Sequence, residues 1–595
     1  MREEDARQMT TRLEDLHVLL IDCQTIGSQP DKGHLLEIGW AVTSAGRLVN
    51  AADVKVDSHL LALPGRTEIP RSVERLTGIY VDDLIRASKP AKVWERLAGA
   101  ARQVAAANRL STGPAIIHFA RFETPFLKWF HRQYGSQSPY PFDVICSHEI
   151  ARRLLPGLPR KGLRAVAGYF GHSVPANRRC TPHVVATAFI WKHLVGLLHQ
   201  ELNIQTLGEM QRWLDITKAA VATDRLYPMP REFRLALPDT PGIYRMLRSN
   251  GDLLYIGKAR SLKQRVNTYF QKSARHPEHI LEMLSQAADL AVTPAGSALE
   301  AAILESGEIK RCRPPYNVAL QEQGRRLWFF SRDFRYFSET PDTRHRIGPL
   351  PSKSTCMAVH AIGRALRYSI THSMAEADLS ATVLLDIAAE YAPEDDCLRE
   401  GLSIFKQRYR DMIRGGKVWR SLMAVGTHSW RKRMIEQEKS AEDNRDQQEE
   451  AQSDNGGTGD WIWTPESVAH SLESVLRRCA HLIRRARWLT MLSESSLAWG
   501  TSDRGENKKR VLIFRAGAIV DRQVRDTADA LPVPPGCSSG FRDRLCNLDL
   551  ITYDRLRVLT TELRRLISEN RSVSIRLGSS AILRSGQIRS VLKWV

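Results

Sequence analysis

No two of the nine cysteines form a CxxC pair, and their odd number leaves one over in any disulfide scheme. A disulfide framework or a zinc ribbon is therefore a poor basis for the fold, and the thiols are expected to be reduced, as in a cytoplasmic protein. Nor does any uninterrupted apolar run approach the roughly 18 residues that a membrane span needs. The opening stretch MREEDARQMTTRLEDL is acidic, without the cationic and apolar regions of a secretory leader. Acid is nevertheless in short supply overall: 66 Asp and Glu against 86 Lys and Arg give a formal charge of +20. Such an excess points to a polyanionic partner, most simply nucleic acid, whose phosphates attract cations and release counterions on binding. A hydrophobic content of 43% supports packed cores, and 595 residues exceed what one core usually holds, so three or four domains are expected.

Strand signals come early: HVLLI (17–21), the apolar run 35–42 and PAIIHF (114–119), followed by a largely apolar helix over 182–197. They predict an α/β domain over 16–205, behind an extension at 1–15. Residues 206–232 read as a connecting helix and a Pro-containing linker. In the next unit, 233–325, PGIYRMLRSNGDLLYIGKA gives two strands around an Asn-Gly turn. A helix then starts near Leu262, and a second over 298–310 is closed by Pro314-Pro315. Spacings of three and four predict helices over 357–368, 377–391 and 398–419, within a helical region 326–433. The polar, mostly acidic stretch within 434–460 reads as a disordered linker. A helical C-terminal region, 461–595, should contain a basic helix over 465–492, a hairpin around 510–522 and a helix over 553–568. The expectation is thus an α/β multidomain chain with a mainly helical C-terminal part.

The sharpest chemical signal lies in 233–325. Gly242-Ile243-Tyr244, Tyr255-Ile256-Gly257-Lys258, Arg265, Glu305 and Asn317 form an ordered set. This set resembles the GIY-YIG nucleases, above all the N-terminal nuclease module of UvrC and its short relative Cho, and extends to the flanking text LPDTPGIYRM, GKARSLKQRV and IKRCRPPYNV. The resemblance implies a small α/β domain that cuts phosphodiesters with Mg2+ or Mn2+. Such hydrolysis needs a metal ion, a base to activate water, and cations around the phosphate. Glu305 is then the metal carboxylate, sharing a helical face with Ala298, Ala301, Ala302 and Ile309, whereas Glu300 and Glu308 read as solvated. Tyr244 is implied as the general base, with Tyr255 and Lys258 orienting water and phosphate and Arg265 as the phosphate clamp. A tyrosine accepts a proton from water only if nearby cations depress its ordinary pKa of about 10. Ordinary strand packing is the alternative for paired tyrosines. Ser261 can cap the helix of Arg265, and Asn317 is expected to hold a loop or water. Arg260, Lys263, Lys310, Arg311 and Arg313 read as a basic rim that contacts nucleic-acid backbone.

The N-terminal text VLLIDCQTIGSQPDKGHLLEIGWAV resembles the opening of the DnaQ-type DEDDh exonucleases, which implies an RNase H-like fold. Its site is altered. Asp22 takes the first aspartate position, Gln24 stands where glutamate belongs, Glu123 in HFARFETPFL takes an aspartate position, and RRCTPHVVAT puts Arg178 at the histidine and His183 at the final aspartate. The family's two-metal chemistry needs four carboxylates, so this set is under-charged for it. Asp22, Glu123 and His183 remain open as a one-metal site, with His183 as a structural histidine the alternative. The domain reads as a binding or docking module with weak or absent 3′-exonuclease activity.

No chemical constellation stands out beyond residue 326. Arg477, Arg478, Arg484, Arg485 and Arg487 line the basic helix, and Trp419, Trp430, Trp461 and Trp463 flank the linker. Such interleaving serves either nucleic-acid binding or a solvated face. The resulting expectation is a bacterial, nucleoid-associated, metal-dependent and structure-specific DNA endonuclease. It would make one incision in damaged or branched double-stranded DNA during repair of the nucleotide-excision kind, with a UvrB-like protein as possible partner. The alternatives are a 3′-to-5′ exonuclease targeted by the GIY-YIG unit and a catalytically silent DNA-binding scaffold.

Overall fold

The computed structural model describes residues 10–50, 53–65, 67–135, 138–219, 224–271, 275–318, 325–367, 394–413, 418–443, 463–500, 507–535, 540–569, 571–579, 581–593 and 595. The chain divides into two compact units, Met1–Ala301 with Cys312–Ala319, and Ala302–Arg311 with Leu320–Val595.

The first unit opens with β1 (Val18–Ile26), β2 (His34–Thr43) and β3 (Asp57–Leu60), followed by helix α1 (Pro90–Asn108), β4 (Gly113–Ile117), α2 (Ala120–Tyr134) and β5 (Phe142–Cys146). The sheet order is β3-β2-β1-β4-β5, antiparallel among the first three strands and parallel from β1 to β4 to β5. A central strand flanked on both faces must be apolar throughout, and β1 is buried over VLLIDCQ. One face packs on α1 and α2 through Trp94, Leu97, Phe126 and Phe130. The other packs on α3 (Cys180–Leu202), whose Val184, Ile190, Trp191 and Leu194 are fully buried.

Two expected boundaries move. Leu13 and Leu16 belong to this core, and the Leu13 N–H donates to Gln205 O at 2.8 Å, so residues 10–15 are part of the domain and not an extension. Helix α4 (Leu207–Ile216) buries Leu207 and Met210 in the same core behind a Thr206–Glu209 capping box, so the domain runs past 205.

Next come β6 (Gly242–Leu247), β7 (Leu253–Ala259), α5 (Leu262–Thr268), β8 (Asp289–Pro294) and α6 (Ala298–Cys312). The order is β7-β6-β8, all antiparallel. The β6–β7 turn uses Gly251 at φ +86°, a conformation that suits glycine. β8 is half-exposed and only weakly patterned, which is why the sequence concealed it. The two domains of this unit meet where Ser285 Oγ accepts from Arg160 N (2.9 Å), Arg164 pairs with Glu282 (3.0 Å) and Asn250 Nδ2 donates to Gly171 O (2.7 Å).

The second unit is less helical than its sequence implies. A small sheet, β9 (Trp328–Phe330), β10 (Phe337–Ser338) and β11 (Ile347–Leu350), precedes α7 (Lys353–Arg367), α8 (Asp395–Arg408), α9 (Val418–Asp443) and α10 (Pro465–Leu492). These share one core with Phe330, Phe405, Leu422 and Leu476. The helix expected over 377–391 lies outside the described residues. The expected linker is helical as far as Asp443, and 444–460 lies outside the described residues.

Beyond α10 stands a five-stranded antiparallel sheet where one hairpin was expected. It comprises β12 (Glu494–Gly500), β13 (Lys508–Arg515), β14 (Ala518–Asp526), β15 (Val573–Leu577) and β16 (Ala581–Arg584), with α11 (Leu550–Ser568) between β14 and β15. Its central strand reads ESSLAWG. Serine and glutamate hide a strand that the fold buries almost completely, with Ser495 Oγ satisfied by Leu492 O at 2.9 Å.

Candidate active sites

Register builds the first site. Tyr244 lies opposite Gly257 and Met246 opposite Tyr255, so all four project from one face, and the Tyr244 and Tyr255 rings are diagonal neighbours 6.2 Å apart. A Cβ at position 257 would stand 2.3 Å from Tyr244 Oη, so only glycine lets the phenol cross that strand. Ser261 Oγ caps α5 by accepting from Gln264 N at 3.1 Å and donates to Asp239. That helix carries Arg265 and, one turn later, Tyr269. Tyr269 Oη lies 3.0 Å from Tyr244 Oη, and the Arg265 guanidinium reaches Tyr269 Oη at 3.5 Å while lying over its ring at 5.1 Å.

Tyr269 was absent from the sequence-derived site. The available signal was its place four residues after Arg265, where helix neighbours share a face. The three phenols alter the electrostatics. Burial, then Tyr269 and Tyr255, push the Tyr244 phenol well above its ordinary value, and Arg265 only partly opposes them. The depressed pKa that base chemistry asks of Tyr244 is therefore not a property of the resting site.

Asn317 is buried and acts as a strand in miniature: its Oδ1 accepts from Ile256 N (2.9 Å) and its Nδ2 donates to Ile256 O (2.8 Å). Lys258 is exposed at the end of β7, and Arg260, Lys263, Arg311 and Arg313 are exposed as well. Glu305 is half-buried on α6, with Ala301 and Ala302 buried one turn before it. Two expectations on this helix fail. Glu300 is not solvated: it is 3% exposed and bonded to Ser297 at the helix start, Ser297 Oγ donating to Glu300 Oε1 (3.1 Å) and accepting from Glu300 N (3.2 Å). Nor is Lys310 part of a basic rim. Its side chain is 1% exposed, pairs with Asp554 of α11 at 2.7 Å and donates to Leu550 O at 3.3 Å. Its charge is used internally and is not offered to a phosphate.

The second site gathers Asp22, Gln24, Glu123 and His183, all buried. Gln24 Nε2 donates to Asp22 Oδ2 at 2.7 Å, and His183 Nδ1 lies 3.1 Å from Asp22 Oδ1. Both oxygens of Asp22 are thus engaged by neighbouring side chains. Glu123 Oε2 is buried without a hydrogen-bond partner, and burial, followed by repulsion from Asp22, pushes its pKa well above the usual carboxylate range. Arg178 is exposed on the loop before α3, tied only through its backbone N–H to Leu76 O (2.7 Å) in the described contacts. Among the described residues, no group of three His, Cys, Asp or Glu could hold a metal ion, so Asp22, Glu123 and His183 do not form the one-metal site left open above.

The tyrosine face, its arginine and the asparagine stitch together decide the comparison with known proteins. Residues 240–318 match the UvrC-like GIY-YIG domain. The UvrABC system protein C of Psychrobacter sp. (strain PRwf-1) is 47% identical over 94 residues, 16% of this chain and 15% of that protein. That of Alkalilimnicola ehrlichii is 40% identical over 130 residues, 21% of each. The chain therefore spans well under a quarter of the length of these curated relatives. Among solved structures, the magnesium-bound GIY-YIG N-terminal endonuclease domain of UvrC from Thermotoga maritima is 34% identical over 15% of this chain and 94% of that one, with a TM-score of 0.14. The E. coli ExoI–ssDNA complex in its zinc-bound form is 11% identical over 40% of this chain and 50% of that one, with a TM-score of 0.27.

Proposed function

We propose that this protein is a metal-dependent, structure-specific DNA endonuclease that makes a single incision in damaged or branched duplex DNA. The observation that carries the reading is the convergence of Tyr244, Tyr255, Tyr269 and Arg265 on one face of a UvrC-like GIY-YIG domain. Tyr244 and Tyr269 pack their rings in the domain's apolar cluster, yet their hydroxyls meet each other and the Arg265 guanidinium. They suit a site that orders water and phosphate oxygens. Arg265 clamps the phosphate with its planar fork, and Tyr269 holds both Arg265 and the Tyr244 hydroxyl in register. Tyr244 takes the proton of the attacking water, which Lys258 and Tyr255 orient, and Asn317 fixes the strand that carries them.

One half-buried carboxylate fits magnesium, which keeps most of its waters and takes only one or two carboxylates. Glu305 would hold the ion, whose charge offsets that developing on the phosphate. The resting pKa of Tyr244 fits the same scheme, because phenolate is favoured only once further positive charge arrives. Mn2+ is the expected substitute.

The strand order β3-β2-β1-β4-β5 of the N-terminal domain supports an RNase H-like fold, and its internally bonded Asp22 and deeply buried Glu123 favour docking over catalysis. Its contacts through Arg160, Arg164 and Gly171 tie it to the GIY-YIG domain. Incision of the nucleotide-excision kind, with a UvrB-like partner, is the repair role we assign. Magnesium-dependent nicking of lesion-bearing, branched and plain duplexes tests the reading, and a pattern of stepwise shortening from 3′ ends would replace it with exonuclease action.

A further inference from the structure

The two longest helices of the second unit meet and then part. Gly426 of α9 touches α10 so closely that a Cβ there would stand 2.2 Å from Leu476 O, which sets the floor of the crossing. One turn further along, a cleft of about 380 Å³ opens, lined by Trp430, Arg433 and Met434 of α9 and by Arg477, Arg478 and His481 of α10. The floor is built with care: Ser474 Oγ accepts from Arg477 Nη2 at 2.9 Å, and Ser429 Oγ, across on α9, accepts from Nη1 at 3.4 Å. Arg433 and Arg478 stand exposed at the rim, and Trp430 is half-buried between them and the floor. At the far end, His481 Nδ1 is buried without a hydrogen-bond partner, which marks a polar space that a ligand atom can complete.

Positive charge continues beyond the cleft. Burial, then Arg431 and Arg487, lower the affinity of Arg484 for its proton, and burial, then Arg485, Arg564 and Arg484, do the same for His481. Glu473, beside Ser474 of the lining, is buried and pairs with Arg408.

We propose that this cleft binds single-stranded nucleic acid, one base lying against Trp430 and the flanking phosphates on Arg433 and Arg478, with Arg477 beneath. Size and composition favour that occupant over the others. The volume falls within the range of about 300–1,000 Å³ typical of small-ligand pockets, enough for one nucleotide. That volume is far too small to take in a duplex, whose phosphates would meet only the rim. An acidic peptide would use the arginines but leave the indole platform without a role, whereas base–aromatic stacking uses both. The site lies outside the nuclease domains and does not depend on the incision reading.

The test is fluorescence anisotropy on the full chain in EDTA, which prevents cutting. The probes are a labelled oligothymidylate about 20 nucleotides long and a labelled duplex, each over a range of salt. Trp430→Ala should weaken single-strand binding about tenfold, with Trp430→Phe restoring most of it. Arg433→Glu with Arg478→Glu should weaken it further and flatten the salt dependence, since about two phosphate contacts are lost. Both arginines are exposed, so this variant remains informative even if Trp430→Ala impairs folding, which thermal melting would reveal. Unchanged oligothymidylate affinity in the arginine pair overturns the proposal. So does an equal loss on the duplex, which would signify general charge attraction. Displacement of oligothymidylate by polyglutamate, with Trp430→Ala binding as tightly as the parent, would reassign the cleft to an acidic peptide. Nicking by the parent protein is scored separately, so failure here and failure of the endonuclease reading are distinguishable.

Discussion

Two clusters of polar side chains in the first unit, around Asp22 and around Tyr244, differ in what their polar groups are bonded to. Around Asp22, the carboxylate oxygens are taken by Gln24 and His183, and Glu123 Oε2 is buried without a hydrogen-bond partner. Around Tyr244, the hydrogen bonds run between hydroxyls and a guanidinium, groups that can exchange a protein partner for water or phosphate. The comparison teaches that matching motif positions is a weaker guide to activity than the state of the lone pairs. A carboxylate hydrogen-bonded at both oxygens keeps further lone pairs, so a metal there would have to share them with Gln24 and His183.

The largest expected effect concerns a third carboxylate, spent on structure. Asp554 is 1% exposed and holds Lys310 and, through two hydrogen bonds of 2.9 and 3.1 Å, Arg325. Removing one partner of a buried pair leaves the other uncompensated, so Asp554→Ala should cost about 3–5 kcal/mol in denaturant unfolding, and Lys310→Ala a similar amount. Burial raises the Asp554 pKa, but Arg325 and Lys310 outweigh it and leave the group below the ordinary value. A depressed carboxylate stabilises above its unfolded pKa, so this contribution should be lost as pH falls below about 4. Loss of DNA binding in Lys310→Ala with unfolding unchanged would restore Lys310 to the basic rim.

Next is Tyr269→Phe, which removes the hydroxyl between Tyr244 and Arg265. Nicking should fall about 100-fold while the melting temperature stays close to the parent's, because the ring remains in the core. An unchanged rate would mean that the phenol cluster is packing and not chemistry.

Smaller is the effect of Glu123→Gln. A carboxyl whose folded pKa is raised stabilises below the unfolded value of about 4.3 and loses that contribution as pH rises toward its folded value. The parent should therefore lose stability from mildly acidic to neutral pH by more than the variant, and Glu123→Gln should gain about 1 kcal/mol near pH 7. If metal titration stabilised the parent strongly but not the variant, the N-terminal site would be a metal site after all. Smallest of all, Asp22→Asn should leave nicking unchanged.

The ordered GIY-YIG set was legible because each residue sits near the next in sequence and the Asn-Gly turn fixes their register. Four buried strands and helices of the first domain were legible for the same local reason. What escaped was decided by distant partners. Lys310 looked like surface charge because Asp554 lies far along the chain, and Glu300 looked solvated because its cap, Ser297, was not weighed. Strand β12 was hidden by its serines, of which Ser495 finds the backbone acceptor Leu492 O, and the Asp22–Gln24–His183 bonds depend on the joining of β1 to α3. Tyr269 was within reach, one turn from Arg265, and was passed over because helix position alone does not distinguish a site residue from a core residue.

The most direct measurement is magnesium-dependent nicking of lesion-bearing and branched duplexes by Glu305→Gln and Asp22→Asn side by side. Glu305→Gln should abolish nicking, by about 1,000-fold or more, while still binding DNA, and Asp22→Asn should cut like the parent. Persistent nicking by Glu305→Gln, or its loss in Asp22→Asn, would contradict the assignment of catalysis to the tyrosine face.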